Sequence, residues 1–289
     1  MSRILKLELR KAFFSPLYLI SLLVGFAFVL ISAHYMFRLC YGSYGRPTIL
    51  ELYEKSNQMV EIIFEGNSLY TGWIGAEINS PVILQFFFIV PFLSMLPCGL
   101  SLTAEIKSGY TKHIIPKCGR KNYILAKLIS AFLSGGSVIF FLLVSSVLVV
   151  ALFLPAVPPK VINSMYYPVL HGDIFSVMAY SKPMLFIICY IGLDFVFGGL
   201  FACLPVAASF IVRKPVYAIL SSYLLVIACS LLRNFFLYLC YIEVSPIYLM
   251  RAVPVSNSSR IWVMALWFAF YFLLTVPFTV FKGERYEIL

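Results

Sequence analysis

An all-α integral membrane protein with six transmembrane helices is the architecture this sequence predicts, and three observations predict it. Hydrophobic residues make up 62% of the 289 residues and charged ones only 12%, well under the ~25% charged residues usual in soluble domains. Six apolar runs, residues 16–37, 81–104, 123–154, 183–212, 215–232 and 261–281, are close to or beyond the ~20 residues a helical span needs. Basic residues gather on one side of these runs: that side holds 14 Lys/Arg against 4 Asp/Glu, and the other 8 against 7. By the positive-inside rule both termini are then cytoplasmic, and anionic lipid is a partner of that face. The net charge of +10 is therefore topological and does not point to nucleic acid.

Taken in order, residues 2–15 interleave Ile4, Leu5, Leu7, Leu9, Phe13 and Phe14 with Arg3, Lys6, Arg10 and Lys11. This pattern predicts an amphipathic helix in the inner interface with its basic side chains toward lipid phosphates. The first span, 16–37, is too long for a signal-peptide core and lacks a small-residue cleavage site, so it is expected to be retained. Residues 38–80 form the largest polar segment, expected outside as one or two short helices over the mouth of the bundle. In the second span, 81–104, Pro91 and Pro97 predict a kink or a local opening. The third apolar run is long for the ~30 Å hydrocarbon core, about 48 Å at ~1.5 Å per residue. Its Lys127 end is expected to project into the cytoplasm, and Gly135 and Gly136 to let a neighbouring helix approach closely.

The PAVPPK stretch at 155–160 returns the chain outward, and Arg213-Lys214-Pro215 predicts a tight inner turn between spans four and five. Arg233 and Asn234 interrupt the apolar run after the fifth span, which suits a short re-entrant or interfacial helix. The seven cysteines show no metal-ligand spacing and read as packing residues; Cys40 and Cys240 both fall near the outer side, with no basis in sequence for pairing them.

No catalytic signature is present. The chain lacks a Gly-x-x-x-x-Gly-Lys-Ser/Thr phosphate loop and a His-Glu-x-x-His zinc pair. His171-Gly172-Asp173 reads as a turn. Asp194 is the one acidic residue placed inside a span, where such a group is costly and needs a partner or a wet cavity. It lies 18 residues before Val212, and Arg233 lies 18 residues after Pro215, so each is about 27 Å from the inner turn. An Asp194–Arg233 charge pair in the outer half of the hairpin is therefore expected. The 27 Phe and 19 Tyr are accounted for by lipid-facing bulk and interfacial belts.

Residues 105–127, EIKSGYTKHIIPKCGRKNYILAK, carry six basic side chains and the single acid Glu105. The pattern Glu-x-x-x-Gly-Tyr…Arg-x-x-Tyr-x-x-x-Lys, set after an amphipathic start and two spans, resembles type-2 ATP-binding cassette transporter permeases of bacteria. Glu105, Gly109, Tyr110, Arg120, Tyr123 and Lys127 carry it, with Pro116 at the proline position before the arginine; Tyr110 departs from the small residue usual there. The resemblance implies a cytoplasmic coupling helix between spans two and three, with Glu105, Lys107, Gly109, Tyr110, Pro116, Arg120 and Lys127 acting on an ATPase subunit.

It further implies a second permease chain, identical or sister, and separate ATPase subunits that bind ATP and Mg, leaving this chain without a cofactor. The expected function is export of an amphipathic or hydrophobic peptide, antibiotic or lipid-like cargo across a bacterial cytoplasmic membrane. A non-transporting membrane sensor or assembly scaffold, and an ion-coupled secondary transporter, are the alternatives; a single intramembrane acid and no evident internal repeat weaken the last.

Overall fold

The computed structural model describes residues 2–41, 67–78, 80–160, 169–212, 214–236, 241–254 and 257–285. The helices are α1 (Ser2–Phe13), α2 (Pro16–Tyr41), α3 (Leu69–Gly72), α4 (Ile83–Gly99), α5 (Ser101–Lys107), α6 (Tyr110–Cys118) and α7 (Arg120–Ala151). They continue with α8 (Ser176–Ser181), α9 (Pro183–Ala208), α10 (Pro215–Leu231), α11 (Arg233–Phe236), α12 (Pro246–Leu249) and α13 (Ile261–Arg285). Among the described residues six segments are long and apolar enough to cross a membrane: Pro16–Tyr41, Ile83–Lys107, Arg120–Ala151, Pro183–Ala208, Pro215–Phe236 and Ile261–Gly283. Each contains most of one predicted span. Of the polar segment 38–80, residues 42–66 and 79 lie outside the described residues, as does Cys240.

The spans pack by the spacing of their small and apolar residues. On α2, Tyr18, Ser21, Gly25, Val29, Ser32, Met36 and Cys40 are buried at intervals of three or four, while Leu19, Leu23, Phe26 and Leu30 stay exposed on the opposite side. That is a single inward stripe with a lipid-facing back. Helices α7 and α9 form the centre. Gly135 allows three backbones to meet there: a Cβ on it would stand 2.8 Å from the Ser94 carbonyl oxygen of α4 and 2.9 Å from that of Gly198 on α9. Small residues at such crossings let dispersion contacts hold helices together where lipid gives no hydrophobic drive. Several serine and threonine hydroxyls inside the spans return to their own helix: Ser94 donates to the Pro91 carbonyl at 2.7 Å and Thr275 to that of Tyr271 at 2.7 Å. They are thereby satisfied without water.

Pro97 lies three residues before the break at Leu100, where α4 gives way to α5. The break thus lies within the span expected to open, but after the proline rather than at the preceding turn whose bond its missing N–H removes. The expected turn at residues 171–173 is also present. Asp173 is buried, accepting from the Leu170 N–H at 2.7 Å and the Ser259 N–H at 2.9 Å, while Arg260 donates to the Gly172 carbonyl at 3.0 Å. Burial pushes the Asp173 carboxyl up against the pull of those two N–H donors and of Arg260. This turn ties the 169–175 loop to the start of α13, at the end of the bundle away from α6.

Two expectations are corrected here. The Lys127 side chain does not project into solvent: it is 1% exposed, because α1 and α5 cover it, although Lys121 and Asn122 at the start of α7 are exposed. The Asp194–Arg233 pair does not form. Helix α10 ends at Leu231, and Arg233 belongs to the separate helix α11, where its guanidinium lies 3.0 Å from Glu243 and 3.9 Å from the centre of the Tyr248 ring. The depth count assumed one continuous helix through Arg233; the break turns that side chain toward the 241–254 loop.

Asp194 remains fully buried on α9, and neither carboxylate oxygen has a hydrogen-bond partner among the described residues. An unpaired buried polar group costs about 1–3 kcal/mol, and more when charged. Asp194→Val, close in bulk and without polar atoms, is therefore expected to raise the thermal unfolding midpoint in detergent by an amount equivalent to about 1–3 kcal/mol. A lowered midpoint would mean that the carboxyl is satisfied in the intact protein.

Candidate functional site

The basic end of the bundle is built by α1, α5, α6 and the first turns of α7. Helix α1 turns Glu8 and Ala12 inward, one turn apart, and leaves Arg3, Lys6 and Arg10 exposed. The helix thus has an exposed basic face, but Lys11 turns to the carboxylates. Lys11 Nζ lies 2.9 Å from Glu105 Oε1 and 3.1 Å from Glu8 Oε1. Lys127 Nζ pairs with Glu8 Oε2 and lies 2.9 Å from Glu105 Oε2. Each ammonium therefore touches both carboxylates, and each carboxylate oxygen meets a cation. Tyr123 donates its hydroxyl to Glu105 Oε2, Lys11 donates to the Tyr110 hydroxyl at 3.3 Å, and Lys127 to Ser101 Oγ at 3.3 Å.

This closed square joins three helices distant in sequence, and its net charge is zero. Burying the ionised Glu8 and Lys127 and most of Glu105 is costly unless each is paired and hydrogen-bonded, and here each is paired, with the 39% exposed Lys11 closing the square from the surface. Burial lowers the Lys11 pKa, but the hydrogen bond and charge of Glu105, with Glu8, outweigh it and raise the value overall. A raised lysine pKa means that its stabilising contribution is complete below the unfolded value of 10.5 and is lost only as pH rises through the folded value. For Lys11 the linkage therefore holds at neutral pH.

Helix α6 meets this square through its first residue, Tyr110, whose hydroxyl accepts from Lys11 and whose ring centre lies 4.4 Å from the Lys11 ammonium. It is nine residues long and lies between Gly109, at φ +74°, and Gly119, at φ +80°. A left-handed backbone at both borders sets the helix off from α5 and α7, and a side chain at either position would be strained. Thr111 is buried and Ile114 and Ile115 are half-buried, packing with Ile106 and Cys118 against the lower core. Lys112, His113 and Pro116 form the exposed side, next to the exposed Lys107.

The residues named from sequence thus separate into two groups. Glu105, Tyr110 and Lys127 converge in the square with Tyr123, whereas Lys107, Gly109, Pro116 and Arg120 frame or face α6 without joining it. The sequence reading missed Glu8 and Lys11 as members. The signal was present: an acid in an otherwise basic helix, one turn from Ala12 on its buried side. Compared with known proteins, the chain matches no family model, no curated protein and no solved structure. Among the described residues no three His, Cys, Asp or Glu side chains converge as a metal site requires. This end of the molecule presents a short helix, α6, whose exposed side is basic and whose other side packs on the lower core beside α5 and α7.

Proposed function

We propose that the chain is the membrane-spanning permease subunit of an ATP-binding cassette exporter, with α6 as its coupling helix and the basic end in the cytoplasm of a bacterial cell. The observation that carries this reading is the joining of α6 to the bundle through the Glu8–Lys11–Glu105–Lys127 square. A push on α6 by an ATPase subunit moves Tyr110 and α5. The paired charges pass that motion to α7 and α1, because separating them in a buried site costs several kcal/mol. Helix α7 meets α9 backbone to backbone at Gly135 and Gly198, so a displacement there shifts a packed centre as a body. Energy enters from a partner that binds ATP and Mg, and the cargo is an amphipathic or hydrophobic peptide, antibiotic or lipid-like compound. A second permease chain completes the path.

The test begins with whether an ATP-binding cassette subunit is encoded beside this chain. It is expected to copurify with the wild type, and the pair to move cargo into vesicles only with ATP. Charge reversal of the exposed side, Lys112→Glu with His113→Glu, is expected to weaken copurification by about tenfold or more while leaving the thermal midpoint unchanged. Copurification and ATP-driven transport that ignore this change, or no ATPase partner at all, would overturn the reading.

A further inference from the structure

Between α9, α10 and α13 lies an apolar groove of about 630 Å³. Its α13 wall is one stripe, Phe270, Leu274 and Phe278, spaced four residues apart, and the next position on that stripe is the exposed Lys282. Side chains four apart on a helix lie one above another, so the apolar wall leads into a cation. Ile211, just beyond α9, borders both this groove and a second cavity of about 490 Å³ that Thr103, Lys107 and Ser209 line. The Thr103 hydroxyl is 2% exposed and has no hydrogen-bond partner among the described residues.

The end of α13 closes beside this second cavity. A Cβ on Gly283 would stand 3.3 Å from the Phe210 ring, and Phe210 is part of the cavity wall. Nor does the end of α9 offer a row of bare acceptors to repel an anion. The carbonyls of Pro205, Ala207 and Ala208 accept from the N–H groups of residues 209–212, and that of Val206 accepts from Ser209 Oγ at 2.6 Å.

An apolar trough within the spanning region therefore adjoins, at Ile211, a chamber lined by Lys107 and by Thr103 with its unpaired hydroxyl, and Lys282 follows the trough's apolar stripe. Basic residues at this level attract anionic headgroups. We infer that the two adjoining cavities seat one anionic phospholipid, an acyl chain in the groove and the phosphodiester at Thr103, Lys107 and Lys282. The lipid holds α13 to α10 at the end where the chain couples α5 to the bundle.

The full chain, reconstituted in phosphatidylcholine nanodiscs with a minor fraction of spin-labelled phosphatidylglycerol or spin-labelled phosphatidylcholine, tests this without any ATPase subunit. Wild type is expected to immobilise the anionic label in preference to the zwitterionic one. Lys107→Gln and Lys282→Gln are each expected to cut that preference about fivefold. Ala208→Phe, which fills the groove and leaves the charges in place, is expected to remove it as well; Ser221→Phe fills the same groove from α10 should the first variant fail to fold. Equal immobilisation of the two labels by wild type would overturn the assignment. So would a preference that survives both lysine changes, one that ignores a filled groove (a diffuse basic surface), or displacement of the label by inorganic phosphate (a free-anion site).

Discussion

Lys127→Met is expected to destabilise the protein by about 3–5 kcal/mol, the range found when one member of a buried charge cluster is removed. The ammonium is 1% exposed and meets both Glu8 and Glu105. Without it, two carboxylates share the half-exposed Lys11 alone, and Glu8 is left charged in a site with almost no water. The loss appears as a lower midpoint of chemical or thermal unfolding in detergent. Combining Lys127→Met with Glu8→Gln is expected to cost less than the sum of the two single changes, because the second removes the charge that the first strands. A loss for Lys127→Met below about 1 kcal/mol would place the square among solvated surface ion pairs and remove the mechanical link on which the coupling proposal rests.

Gly135→Val is expected to abolish the folded state or lower its midpoint severely. Its Cβ would stand 2.3 Å from the Ala202 Cβ and under 3.0 Å from the carbonyl oxygens of Ser94 and Gly198. Two of these three neighbours are backbone, so no rotamer change relieves the contact and three spans must separate. Overpacking of an adaptable core costs about 1–3 kcal/mol; here the cost is expected at the top of that range or beyond it, against a total stability on the order of 5–15 kcal/mol. Gly192 on α9 provides the control, since nothing lies within 4 Å of a Cβ added there. Gly192→Ala is expected to be neutral or to stabilise by about 0.5–1 kcal/mol through helix propensity. A well-folded Gly135→Val would disprove the close crossing of α4, α7 and α9.

The two corrected expectations share a cause. Placing Arg233 opposite Asp194 required a helix that continues past Leu232, although Arg233 and Asn234 already marked an interruption there. Projecting Lys127 into solvent followed from the length of α7 alone, which says nothing about what covers its first turns. Glu8 was overlooked because a single acid among four cations reads as noise in a charge balance. Its meaning depends on which side of α1 faces α7.

The six spans, the small-residue approach at Gly135 and the turn at 171–173 were legible along the chain. Each arises from neighbours within a few residues or from an apolar length that no tertiary contact can change. The square of Glu8, Lys11, Glu105 and Lys127, the diversion of Arg233 to Glu243 and the isolation of Asp194 came only with the assembled bundle. Charge partners are chosen by distances between helices far apart in sequence, and burial decides whether a given lysine meets water or two carboxylates.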